Sequence, residues 1–148
     1  MKYIYLICSL LILASLQSCN DSKSDIRFHP SHESSRANAP FSDAVETDNL
    51  LFLTGQIGKD HKTRKLVEGG INDETKQVIK NIKAVLEHHN LSLDNVVKCT
   101  VILKDINDFK AFNSVYTTYF TNKPARTTFA ASGLAGGASI EIDVIAAK

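Results

Sequence analysis

Apolar and polar positions divide this chain into three stretches with different patterns. From Ile4 to Leu16 (I-Y-L-I-C-S-L-L-I-L-A-S-L) the chain is apolar and uncharged, preceded by Lys2 and ended by the polar Gln17. A positive residue, a short apolar block and an abrupt return of polarity predict a secretory signal over residues 1–18. The block is shorter than the ~20 residues that a membrane-crossing helix needs, so a permanent span is the weaker reading. From Asn20 to Asn38 there is no apolar period, only five serines and mixed charges. Such a segment buries too little surface to fold, and it predicts a tether over residues 19–38.

Periodicity begins after Ala39. Ile71, Thr75, Val78, Ile79, Ile82, Val85 and Leu86 recur at three and four, with Asn72 as a cap and Asp73 and Glu74 in the first turn, which predicts a helix stopping near Asn90. Phe109, Phe112, Val115, Tyr116, Tyr119 and Phe120 predict a second helix, which Pro124 prevents from continuing. Strands are expected around Ser42–Val45, Leu50–Ile57, Val96–Leu103, Arg126–Ala131 and Ser139–Ala146, in the order β-β-α-β-α-β-β. In Val96–Leu103, Val97, Cys99, Val101 and Leu103 occupy one face, and Val96, Lys98, Thr100 and Ile102 the other. Two helices cover one side of such a sheet, so the partly apolar second side predicts contact with another copy of the domain.

Composition narrows the function classes. Hydrophobic residues make up 43% and charged residues 22%, as in an ordinary folded domain. Lys and Arg number 17 against 16 Asp and Glu; removing residues 1–18 takes away Lys2 alone and leaves 16 of each. A neutral domain carries no electrostatic footprint for nucleic acid or for an anionic membrane surface. Three cysteines, one inside the leader, cannot build a disulfide framework. No phosphate-binding glycine loop or paired-cysteine zinc motif occurs, and no cofactor is implied. His29, His32 and Glu33 do not have the spacing of a metal site, so no metal is expected.

Leu16-Gln17-Ser18-Cys19 resembles a bacterial lipobox, although Gln17 is unusual there. The resemblance implies a lipidated Cys19 as mature N-terminus and an exported protein whose only hold on the membrane is the lipid, on the periplasmic or cell-surface side.

Within the domain, Thr54-Gly55-Gln56-Ile57, Leu93-Asp94-Asn95-Val96-Val97-Lys98-Cys99-Thr100-Val101, Lys104-Asp105-Ile106-Asn107-Asp108-Phe109 and Asn113-Ser114-Val115-Tyr116 appear in that order. Pro124-Ala125-Arg126-Thr127-Thr128 and Ile140-Glu141-Ile142-Asp143 follow. The ordered set, over residues 39–148, resembles the RidA/YjgF family. That resemblance implies an α+β, chorismate-mutase-like fold: a mixed β-sheet with two helices on one face, in a homotrimer with an inner β-barrel and clefts between subunits. It also implies hydrolytic deamination of reactive enamines and imines such as 2-aminoacrylate to 2-keto acids and ammonia.

The resemblance assigns residues as well. Arg126 would grip the substrate carboxylate with its two-pronged guanidinium. Glu141, which leaves the face carrying Ile140, Ile142 and Val144, would activate water. Gly55 would supply a backbone N–H and Thr128 a backbone carbonyl, with Phe41 as an aromatic wall and Asn113 as a supporting amide. The chain departs from the family at Phe41, where a tyrosine is usual, and at Ser132-Gly133-Leu134-Ala135-Gly136-Gly137-Ala138, which lacks the usual proline. Buried Cys99 and the helix-ending His88-His89 are expected to be structural. The alternative is a non-catalytic module of the same fold that binds small carboxylates such as keto acids.

Overall fold

The computed structural model describes residues 25–148. The signal peptide expected over residues 1–18 and the lipidation site Cys19 lie outside the described residues.

Alternating apolar residues build the expected mixed sheet. Its strands are β1 (Arg27–His29), β2 (Ala44–Thr47), β3 (Leu50–Leu53), β4 (Gln56–Ile57), β7 (Val96–Leu103), β8 (Ala125–Ala130) and β9 (Ile140–Ala147). The order is β1-β2-β3-β9-β7-β8, and β4 extends the line of β3 along β9. Only β7 and β8 run parallel, because helix α2 (Phe109–Tyr119) crosses between them. A two-stranded hairpin, β5 (Lys59–Asp60) with β6 (Lys65–Leu66), precedes helix α1 (Gly70–His88).

Helix α1 begins earlier than the cap at Asn72 implies. Gly69, at φ 106°, opens it, and a side chain at Gly69 would collide with the Asp73 carboxylate folded back over the first turn. The helix ends as expected: Asn90 is left-handed at φ 59°, and Leu91 N–H and Asn90 N–H reach back to the carbonyls of Leu86 and Glu87 at 2.9 and 3.0 Å. Val78, Ile79, Ile82, Val85 and Leu86 of α1 and Phe112 and Tyr116 of α2 pack on Leu51, Val101, Leu103, Ile140, Ile142 and Val144. One face of the sheet is thereby covered.

Two expectations are corrected. The bulge between Val96 and Lys98 turns Val96 into the core and leaves Val97 45% exposed, so Val97 does not share the face of Cys99, Val101 and Leu103. The tether expected over residues 19–38 is, in its described part, docked on the domain. Strand β1 pairs with β2, and a 3-10 turn follows at Ser34–Arg36. Arg36 Nη2 lies 2.9 Å from Asp43 Oδ1, while Nη1 donates to Gln56 Oε1 at 2.9 Å. His29 packs edge-on against His89 and His32 stacks on His88, so the helix-ending pair fastens this segment. The sequence has no apolar period here because a single edge strand and polar contacts, rather than an apolar face, hold it down.

Candidate functional site

Directly paired residues of neighbouring strands share a sheet face, so the register fixes where the chemistry points. Glu141 pairs with Ile102 on one side and Ile57 on the other. Arg126 pairs with Cys99, three positions before Ile102 in β7, and therefore points to the opposite face. The two residues are also separated by strand β7, two strand spacings or about 9–10 Å across the sheet.

Each lies in its own setting. Arg126 is half-buried over α2, its guanidinium carbon 4.5 Å from the Tyr116 ring centre, 5.3 Å from Phe112 and 5.7 Å from Phe109. Three aromatic rings fix the side chain by stacking and cation–π attraction, and its planar fork suits a planar anion. Thr128, two residues on, shares this face, and its buried hydroxyl has no partner among the described residues. Asn113 lies on α2 beside Phe112, away from Glu141. Cys99 is fully buried under the same rings and receives the Tyr116 hydroxyl at 3.3 Å. Burial pushes its thiol pKa up, which suits a packed residue and not a nucleophile.

Glu141 instead lines a cavity of about 860 Å³, together with Gly55, Phe41, Thr54 and Ile57. Gly55 is required by proximity: a Cβ there would collide with the Glu141 carboxylate. Helix α1 holds this end of the sheet in place. Glu74 accepts Ser139 N–H at 2.8 Å and its hydroxyl at 2.7 Å at the start of β9, and Asn81 donates to the carbonyls of Ile57 and Lys59 at 3.2 and 2.9 Å.

Of the residues expected in the site, the structure brings Glu141, Gly55 and Phe41 together and places Arg126, Thr128 and Asn113 elsewhere. Arg36, Lys59, His61 and Arg64 also line the cavity and were not anticipated. Arg36 was assigned to the tether. The other three lie on a hairpin whose cations bracket the turn at Asp60–Thr63, and that cluster was the available signal. His61 is half-buried; burial and the neighbouring Arg36 lower its pKa.

Comparison with known proteins shows what the chain resembles. The endoribonuclease L-PSP family pattern matches residues 32–148. Protein HMF1 of Saccharomyces cerevisiae is 51% identical over 113 residues, which is 76% of this chain and 87% of that protein. The 2-iminobutanoate/2-iminopropanoate deaminase of Homo sapiens is 43% identical over 108 residues, covering 72% and 79% respectively. The crystal structure of YyfA from Yersinia pestis, described as a Rid-family protein of unknown function, superposes with a TM-score of 0.78 at 36% identity, covering 84% of this chain and all of that one.

Proposed function

The chain belongs to the Rid (endoribonuclease L-PSP) family, and from that premise we propose that it hydrolyses reactive enamines and imines of the 2-aminoacrylate type to 2-keto acids and ammonia. The observation that carries the reading is the free-standing carboxylate of Glu141 in a cavity beside a glycine that only a missing side chain makes possible. The relatives at 40–43% identity that are named imine deaminases support it. The site we propose is shared in a homotrimer: Arg126 and Glu141 point to opposite faces within one chain, so a site that uses both joins Glu141 of one copy to the partner subunit's Arg126.

Chemically, the guanidinium holds the substrate carboxylate through two parallel N–H···O bonds. The enamine takes up a proton at its terminal carbon to become the iminium ion, whose C=N carbon is electrophilic. Glu141 removes a proton from water as its oxygen attacks that carbon, returns it to nitrogen, and then takes the hydroxyl proton as the carbon–nitrogen bond breaks. The products are keto acid and ammonia. No metal or redox partner enters the balance.

Export belongs to the same proposal: residues 1–18 act as a signal peptide and Cys19 carries lipid, anchoring the domain outside the cytoplasm. Seven residues, Asn20–Ile26, separate Cys19 from β1, a reach of at most about 25 Å. The domain therefore sits close to the membrane surface. Mass spectrometry of the mature N-terminus tests this, and an unmodified end beyond Cys19 overturns it.

The activity is tested by following freshly generated 2-aminoacrylate with the full-length protein in detergent. Parent protein accelerates keto-acid release and Glu141→Gln lowers kcat about 10²–10⁴-fold while still binding keto acid. Keto-acid binding without acceleration by the parent would instead establish the non-catalytic binding module.

A further inference from the structure

We propose that the cavity beside Glu141 selects imino acids that carry a second carboxylate, which Lys59 and Arg64 bind at the end away from the reacting carbon. The inference rests on the deaminase reading and goes on to name the substrate class.

Four observations carry it. The cavity, about 860 Å³ in a single chain, is lined by Glu141 together with Lys59 and Arg64 of the β5–β6 hairpin. Its charged lining is unbalanced: among the described residues Glu141 is the only acid on the wall, against Arg36, Lys59 and Arg64. The three cations also differ. Arg36 is committed, with Asp43 2.9 Å away and Gln56 accepting from it, whereas neither Lys59 nor Arg64 is paired with a carboxylate among the described residues. Finally, both cations are placed by construction. The Lys59 carbonyl is tied to Asn81 of α1. Arg64 sits at φ 61°, a conformation that favours glycine, enforced by a turn in which Asp60 Oδ1 accepts Lys62 and Thr63 N–H and the Asp60 carbonyl accepts Arg64 N–H at 2.8 Å.

The division of labour follows from the sheet. The α-carboxylate of the substrate belongs to the partner subunit's Arg126, since that guanidinium is held on three aromatic rings and pairs with no carboxylate among the described residues. Lys59 and Arg64 line the same cavity from the β5–β6 hairpin, which leaves them for the second carboxylate. A monocarboxylic substrate leaves them unmatched.

The experiment compares imines generated in place from glutamate and aspartate with those from alanine and 2-aminobutanoate, using full-length parent, Lys59→Gln, Arg64→Gly and the double variant. Arg64→Gly relieves the strained φ, so it is expected to fold at least as well as the parent. Expected is a kcat/KM ratio of dicarboxylic over monocarboxylic imine of at least about tenfold in the parent, falling roughly ten- to hundredfold in the double variant through KM. A parent ratio near one overturns the proposal. So does an equal loss on both substrate classes, which would assign Lys59 and Arg64 to the α-carboxylate. Calorimetric titration with 2-oxoglutarate and 2-oxobutanoate reads the same preference without turnover. If no imine is hydrolysed, the deaminase reading fails by itself, and the selectivity stands or falls on whether 2-oxoglutarate binds more tightly in a Lys59- and Arg64-dependent way.

Discussion

The two faces of the central sheet share the same strands and are built to different ends. On the covered face, α1 and α2 bury an apolar layer to near-zero exposure, and Arg126 is stacked at its edge on Phe109, Phe112 and Tyr116. On the bare face, the cross-strand row Phe28, Val45, Phe52 and Ile145 is covered by no helix among the described residues, and Phe129, Ile102, Glu141 and Ile57 form a second row. Phe28, Phe52 and Phe129 are 69%, 39% and 45% exposed. The covered face is a finished core that fixes the Arg126 guanidinium on aromatic rings. The bare face carries the carboxylate, and in the proposed site a second copy completes it, so that reading couples assembly to chemistry.

Altering one face at a time tests that division. The largest effect is expected from Gly55→Ala, whose methyl group displaces the Glu141 carboxylate, a flexible side chain that can move without unfolding the domain. The variant should keep the parent's melting temperature yet lose about 10²–10⁴-fold in imine hydrolysis. Calorimetry beside a turnover assay checks both, and full activity would mean that Glu141 is not the water-activating group. Next is Phe129→Asp, which puts a charge into the bare face. Light scattering should show dissociation toward monomer, with activity falling in proportion to the assembled fraction; an active monomer would break the coupling of the two faces.

Arg126→Lys acts on the covered face. It keeps a charge on the aromatic bed but loses the fork, and keto-acid affinity should drop roughly ten- to hundredfold by titration, with unchanged assembly. The smallest effect concerns the sheet's N-terminal edge. Glu46 accepts from Lys148 and meets His29, both at 2.8 Å, and these contacts, Lys148 first, lower its pKa to about 2. A depressed carboxylate contributes stability above its unfolded value near ~4.3 and loses it as pH falls toward about 2. Urea midpoints of Glu46→Gln should therefore fall less steeply than the parent's across that window, with no change in hydrolysis at neutral pH.

Several features were legible from residues alone because they obey local rules. The 3.6-residue periods of α1 and α2, the stop at Asn90 and the alternation of Ile140, Ile142 and Val144 against Glu141 each depend on neighbours in sequence, and the ordered motifs added the family. The apolar character of both faces of β7 likewise announced an uncovered sheet face, although the bulge at Val96 exchanged which valine is buried. Sequence alone thus determined the two helices, the main strands and their order, the fold class and Glu141 and Arg126 as candidates, but neither β1 nor the β5–β6 hairpin. The tertiary structure decided that these two face apart, because strand register and the intervening β7 set direction in a way no spacing reveals. It alone docked Arg27–Arg36 onto the sheet and turned Lys59 and Arg64 into the Glu141 cavity, since those placements rest on long-range contacts through β2, Asp43 and Asn81 and leave no period in the chain.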